Sequence, residues 1–223
     1  MTMKSTCRLQ WILPLLLFGA CRTTSEQEQI AGAAYSRYYI QDYVEVESLS
    51  VQTNSNYVGI IGQGTIISGS TLCGKYNDIG YDRQIALHST TAIANRFIEM
   101  DIVSDRDFDE RHKAGTSLAD IAFFAGATSY GYIRSGYTQT FDWQNAPSFY
   151  KQDQLYTWYG SRDQPVYIRL SEIEDADLVL LNPIFFLTFE SQPTSSKSHR
   201  FVLTITDEKG KRIAAEFDWN GFE

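Results

Sequence analysis

Five acidic side chains fall within ten residues, at Asp101, Asp105, Asp107, Asp109 and Glu110. Carboxylates at alternate positions of one loop can converge on a hard cation, because Ca²⁺ takes about six to eight oxygen ligands. The spacing does not fit an EF-hand, because counting from Asp105 places the obligatory glycine position on Glu110. The loop is therefore interpreted either as a calcium site or as a solvated acidic turn, whose charges neighbouring basic residues would offset.

The same segment resembles the third calcium loop of the synaptotagmin-type calcium/phospholipid-binding β-sandwich domain. In that family a strand ends in D-x-D and the loop returns to the sheet through a glycine, which is the order of Asp105, Asp107 and Gly115 here. The resemblance covers residues 97–121 and implies that Asp105 and Asp107 are Ca²⁺ ligands. The acidic pattern adds Asp109 as a further candidate ligand.

Aromatic side chains are concentrated between residues 130 and 167, with amides and carboxylates among them. Exposed Trp and Tyr rings beside such groups form a stacking surface for sugars or protein partners. The candidates for this binding face are Trp143, Tyr156, Trp158 and Tyr159. Core packing of a β-domain would use the same rings without any partner, so a binding role requires contiguous exposed rings.

Other catalytic motifs are incomplete. His88, His112 and His199 stand far apart, which favours surface or edge histidines over a zinc site or a general base. No serine lies in a G-x-S-x-G elbow, so a hydrolase is the lesser functional alternative. The spacing from Gly69 to Lys75 matches a phosphate-binding loop, but a tyrosine follows the lysine where Mg²⁺ binding needs Ser or Thr. We therefore interpret these glycines as turn residues of a hairpin.

The first residues carry the pattern of a secretory leader. Lys4 and Arg8 precede an apolar run at 11–18, which is too short to cross about 30 Å of hydrocarbon. The sequence Leu-Phe-Gly-Ala-Cys that ends at Cys21 resembles the lipobox of bacterial lipoproteins. The resemblance implies cleavage before Cys21 and acylation of its thiol. Because Arg22 rather than an aspartate follows, it also implies sorting to the outer membrane. The alternative is an ordinary signal peptide with Cys21 as a bystander.

Charge and cysteine content restrict the partners. Loss of Lys4 and Arg8 with the leader would take the formal charge from −8 to −10, which argues against nucleic acid, since binding to phosphates depends on basic side chains. Cys7 would leave with the leader and Cys21 would carry lipid. Cys73 then remains, and we expect it to be a buried, inert thiol.

The organisation along the chain predicts a signal peptide at 1–20, a lipidated N-terminus and tether at 21–36, and a single domain at 37–223. Beyond the tether, aromatic and β-branched residues recur at period two, which predicts an all-β fold, an antiparallel β-sandwich with short helical turns. Helical turns are expected at 116–125 and 170–177. The predicted strands are 43–51, 57–67, 84–88, 97–103, 129–137, 155–159, 166–170, 184–190, 201–206 and 212–219.

Together these patterns predict an outer-membrane-anchored bacterial lipoprotein whose β-domain binds or scaffolds another envelope protein or a glycan without catalysis. No cofactor is expected unless the acidic loop holds Ca²⁺. The alternatives are a calcium-responsive domain at a membrane or glycan surface, and an envelope hydrolase.

Overall fold

Two β-sheets pack face to face in the computed structural model, which describes residues 35–84, 90–174, 176–194 and 197–221. The strands of the described residues are β1 (Tyr35–Ser36), β2 (Asp42–Thr53), β3 (Val58–Ser68), β4 (Arg83–Gln84), β5 (Thr91–Ile93), β6 (Phe97–Ser104), β7 (Ala122–Thr128), β8 (Gln164–Arg169), β9 (Ile184–Phe189), β10 (His199–Asp207) and β11 (Arg212–Trp219).

The larger sheet has the order β5-β2-β3-β9-β7-β8, and the smaller sheet has the order β11-β10-β6. β1 and β4 form a separate two-stranded ribbon. The pairings are antiparallel except that β5 runs parallel to β2. The all-β sandwich that the sequence predicts is confirmed. The described residues belong to one compact unit, Tyr35–Glu223, so β1 includes residues that the sequence analysis assigned to the tether.

The sandwich core is built by side chains that alternate along the strands. Phe124 and Phe185 of the large sheet are buried against Leu203 and Ile205 of the small sheet. Intervening residues of the large sheet point the other way, because successive strand residues face opposite sides. On that outer face Ala125, Ala127 and Phe186 are covered by the segment 141–159, whose buried residues are Trp143, Ala146, Phe149, Tyr150, Leu155 and Tyr159. The large sheet is therefore buried on both faces at β7 and β9.

Most predicted strands are confirmed to within two residues at each end, namely 43–51, 57–67, 97–103, 166–170, 184–190, 201–206 and 212–219. The hairpin between β10 and β11 is also confirmed, with Gly210 in the left-handed region at a φ of 77°. The strand predicted at 84–88 overlaps β4 at Gln84, and the rest of it lies outside the described residues.

Three predicted elements are wrong. The segment 129–137 contains the helix α2 (Tyr130–Arg134) instead of a strand. Most of 155–159 is 3-10 helical, because Ser148–Trp158 forms two short 3-10 helices separated by a kink at 152–154. The helical turn predicted at 116–125 is absent, because residues 116–121 form non-helical turns and residues 122–125 belong to β7. β7 is buried on both faces and therefore lacks the alternation that marks a strand with one exposed face. The helical turn predicted at 170–177 is confirmed in part, as the 3-10 turn Leu170–Glu172.

The glycine-rich stretch also differs from expectation, since it forms α1 (Gly69–Leu72) and a 3-10 helix (Cys73–Tyr76) rather than a hairpin. Among the described residues no helix has the length and apolar character that a membrane crossing requires.

Candidate functional site

The aspartates of the acidic loop bond to their own protein neighbours. The Asp105 carboxylate accepts the backbone N–H of Arg200 at 2.9 Å. Asp107 accepts the backbone N–H of Ala114 at 3.0 Å and the Lys113 ammonium at 3.0 Å, and these donors hold the pKa of Asp107 below its usual value. The two carboxylates therefore order the turns around them.

Asp109 is bridged to Asp120 through the buried ring of His112. Its carboxylate lies 2.8 Å from His112 Nδ1, and Nε2 of the same ring lies 2.9 Å from Asp120. Burial acts to lower the pKa of His112, but the hydrogen bonds to the two carboxylates outweigh it and raise the pKa. Burial acts to raise the pKa of Asp109, but its hydrogen bonds to His112 and to the loop N–H groups lower it.

The described residues include no cluster of candidate metal ligands at the acidic loop. Over the described ranges, no three His, Cys, Asp or Glu side chains converge in the way that a metal ion requires. Calcium binding by Asp105, Asp107 and Asp109 stays a prediction from the sequence. The expectation of surface or edge histidines is wrong for His112 and His199, which are both buried. His199 Nδ1 lies 2.7 Å from the buried hydroxyl of Ser104, the last residue of β6, so this ring joins β10 to β6.

Cys21 and His88 lie outside the described residues, as do the predicted leader at 1–20 and the predicted tether up to residue 34. Cys73 is half-buried rather than buried, with its Sγ 3.6 Å from the carbonyl oxygen of Ser70, which corrects the expectation of a fully enclosed thiol.

The four aromatic candidates separate into different environments. Trp143 and Tyr159 are buried in the layer that covers the large sheet, so the predicted continuous aromatic face is wrong for these two residues. Tyr156 is partly buried against the same layer. Trp158 has 58% of its surface exposed, which is unusual for an indole. The sequence could not distinguish the two tryptophans, because both lie in the same aromatic stretch.

Trp158 lines a cleft of about 780 Å³ where the 158–163 segment passes the large sheet. The cleft combines aromatic and aliphatic walls with polar groups, as ligand sites usually do. Its lining includes Tyr39, Thr91, Trp158, Arg162, Asp163 and Asn182. Sequence reasoning found Trp158 and missed the others, although the Ser-Arg-Asp turn directly after the aromatic run was a signal.

Arg162 is held rigidly beside this cleft. Its guanidinium group donates to the Tyr81 hydroxyl at 3.0 Å. It also lies 5.7 Å from the ring centroids of both Tyr39 and Tyr132, within the range of cation–π attraction. A guanidinium fixed by rings and a hydroxyl loses little side-chain entropy when a ligand binds.

Asp163 forms the polar floor of the cleft. Its carboxylate accepts the Ser129 hydroxyl at 2.6 Å and the backbone N–H of Gly160 at 3.0 Å. Burial raises the pKa of Asp163 above its usual value. The cleft thus offers a flat indole wall next to preorganised polar groups, an arrangement that can stack a ring or an amide plane and hydrogen-bond to its edges.

Comparison with protein-family models, with curated proteins and with solved structures gives no match.

Proposed function

We propose that this chain is a lipid-anchored protein of the bacterial outer membrane whose β-sandwich binds another envelope component, a protein or a glycan, without catalysis. The observation that carries the binding function is the exposed indole of Trp158 on the wall of the 780 Å³ cleft. An exposed ring costs solubility, and such rings are concentrated at binding sites.

The anchoring function is supported by the leader pattern that ends at Cys21 and by the polar stretch 22–29 after it, which would separate the domain from the bilayer. Several acyl chains on one cysteine would hold the protein firmly, since each buried methylene contributes about 0.8 kcal/mol.

The anchor is tested by mass spectrometry of the native protein together with envelope fractionation. We expect the mature chain to begin at an acylated Cys21 and to sediment with outer membranes, and we expect Cys21→Ser to leave the membrane fraction. A native product with a bare Cys21 thiol would contradict the anchor.

The binding function is tested by crosslinking in intact cells, followed by capture of the wild type, Trp158→Ala and Tyr35→Ala. Tyr35 is a matched control, because it is 67% exposed and is not part of the cleft lining. We expect one envelope protein or glycan to be captured in stoichiometric amount by the wild type and Tyr35→Ala, and to be lost from Trp158→Ala. Equal capture by all three chains would contradict a binding role for the cleft.

A further inference from the structure

A second cleft, of about 620 Å³, is lined by three basic residues that come from separate elements. Lys75 belongs to the 3-10 helix Cys73–Tyr76, Arg96 to the turn between β5 and β6, and Arg134 to the end of α2. The acidic residue in the lining is Glu208, from the loop between β10 and β11. Three cations and one carboxylate give the cleft a formal charge of +2, whereas the whole chain carries −8.

The framework of this cleft is fixed by hydrogen bonds between its elements. The backbone N–H of Glu208 donates to the carbonyl oxygen of Arg96 at 2.9 Å. The Tyr76 hydroxyl donates to the carbonyl oxygen of Ala94 at 2.9 Å, which joins the 3-10 helix to the same turn. Lys75 and Arg96 therefore stand on a preorganised frame, and a ligand would not have to order it.

The single carboxylate is shared between two of the cations. Glu208 Oε1 lies 2.8 Å from the Lys75 ammonium, and its Oε2 lies 3.3 Å from Arg96 Nε. Arg134 is exposed, with its guanidinium 5.4 Å from the ring centroid of Tyr130. Arg134 also lines a neighbouring cleft that contains an acidic residue, Asp177. The carboxylate of Asp177 accepts the backbone N–H of Glu174. The guanidinium plane is thus oriented by an aromatic ring and is available to bind an anion in a bidentate manner.

We propose that this cleft binds a phosphate-bearing ligand, with Arg134 as the primary contact and with Lys75 and Arg96 adding positive potential. Phosphate fits because its oxygens accept several charge-assisted hydrogen bonds at once and match the fork of an arginine. This inference does not depend on the proposed function, because it uses a different cleft. The ligand is either a free phosphate compound or a phospholipid headgroup, which present the same group to the site.

The test compares the wild-type chain with Arg134→Glu and Lys151→Glu. The control reverses one charge at an exposed lysine that does not belong to this lining, so the net charge changes equally. Inorganic pyrophosphate is titrated calorimetrically at low ionic strength, where exposed charges are least screened. We expect Arg134→Glu to bind about tenfold more weakly, as loss of a charge-assisted hydrogen bond predicts, and we expect Lys151→Glu to match the wild type.

A second experiment measures how much protein sediments with phosphatidylcholine vesicles that contain or lack phosphatidic acid. The result is the difference in bound protein between the two vesicle types, because a lipid anchor would contribute equally to binding in each. A difference that Arg134→Glu abolishes assigns the site to headgroups, whereas pyrophosphate binding without such a difference assigns it to free phosphate compounds. Thermal unfolding verifies that each variant is folded. The same measurements on Arg134→Gln test the loss of the guanidinium without reversing the charge. Absence of both pyrophosphate heat and a phosphatidic acid effect in the wild type would overturn the proposal, as would equal weakening in Lys151→Glu.

Discussion

Trp143 stacks on Tyr159, with their ring centroids 5.2 Å apart and the ring planes 22° from parallel. The indole N–H also donates to the carbonyl oxygen of Gly160 at 2.9 Å, so the pair closes the layer that covers the outer face of the large sheet. One residue before Tyr159, Trp158 points to the exposed cleft. The same short segment therefore supplies both the packing on the outer face of the large sheet and the wall of the candidate site.

Truncation of Trp143 should destabilise the protein strongly. We expect Trp143→Ala to lower the free energy of unfolding by about 3–5 kcal/mol, because a buried indole leaves a cavity that the stacked rings cannot fill. Trp158→Ala is the matched control and should change it by about 0.5 kcal/mol or less, since that ring is exposed. Urea denaturation measures both. Similar losses in the two variants would show that the distinction between a packing tryptophan and a binding tryptophan is wrong.

Removal of one hydroxyl in the same layer should weaken the edge of the large sheet. The Tyr150 hydroxyl lies 2.6 Å from the carbonyl oxygen of Gly126 and 2.8 Å from that of Val166, which are opposed residues of β7 and β8. We expect Tyr150→Phe to cost about 1–3 kcal/mol, because the two carbonyl groups that share this hydroxyl lose their donor. Burial raises the pKa of Tyr150 far above its usual value, so the loss should be the same at neutral and mildly alkaline pH.

Hydrogen exchange of the β7 and β8 amides locates this effect. Tyr156→Phe is the control, since Tyr156 is only partly buried beside the same layer. Unchanged protection of β7 and β8 in Tyr150→Phe would show that the Tyr150 hydroxyl does not hold these two strands together.

The sequence predicts the strands with one wet face well, and the reason is visible in β11. Ile213, Phe217 and Trp219 are buried, whereas the exposed residues Arg212, Glu216 and Asp218 alternate with them. The two-residue period of a strand is therefore visible in the sequence itself. In β7 this signal vanishes because both faces of the strand are covered, and the apolar run was interpreted as a helix.

The candidate site could be predicted only in part. Trp158 was identified by residue type, but which of several neighbouring rings is exposed depends on how the 141–159 segment folds over the sheet. The basic cleft could not be anticipated, because Lys75, Arg96 and Arg134 are distant in sequence and meet only through tertiary contacts.

A glycine at a strand irregularity provides a third stability prediction. Gly64 lies opposite Val46, where the register of β2 and β3 shifts, and a Cβ atom on it would stand 1.9 Å from the carbonyl oxygen of Glu45. We expect Gly64→Ala to cost about 1–3 kcal/mol, because backbone must move to make room. Gly74→Ala is the control, since nothing lies within 4 Å of its added Cβ, and it should be neutral or stabilising by up to about 1 kcal/mol. Thermal and urea unfolding of both variants measure the difference, and equal effects would contradict the close approach.

The bridge from Asp109 through His112 to Asp120 predicts how stability changes with pH. The pKa of His112 is raised above its ordinary value of 6.5, so the folded state keeps a proton that the unfolded state releases. The stabilisation is complete below pH 6.5 and is lost as pH rises through the folded-state pKa. At the acidic end, the lowered pKa of Asp109 gives stability that is lost as pH falls below 3.8 through its folded value.

Urea denaturation of the wild type and His112→Gln at constant ionic strength checks the alkaline limb, because glutamine can hydrogen-bond but does not titrate in this range. We expect the free energy of unfolding of the wild type to fall relative to the variant above pH 6.5, and the difference to level off once the folded-state pKa is passed. NMR titration of the ring should report a pKa above the ordinary value, and Asp120→Asn should lower it, since one of the two carboxylates that hold the proton is then neutral. Parallel stability profiles for the wild type and His112→Gln would show that the His112 bridge is not charged in the folded protein.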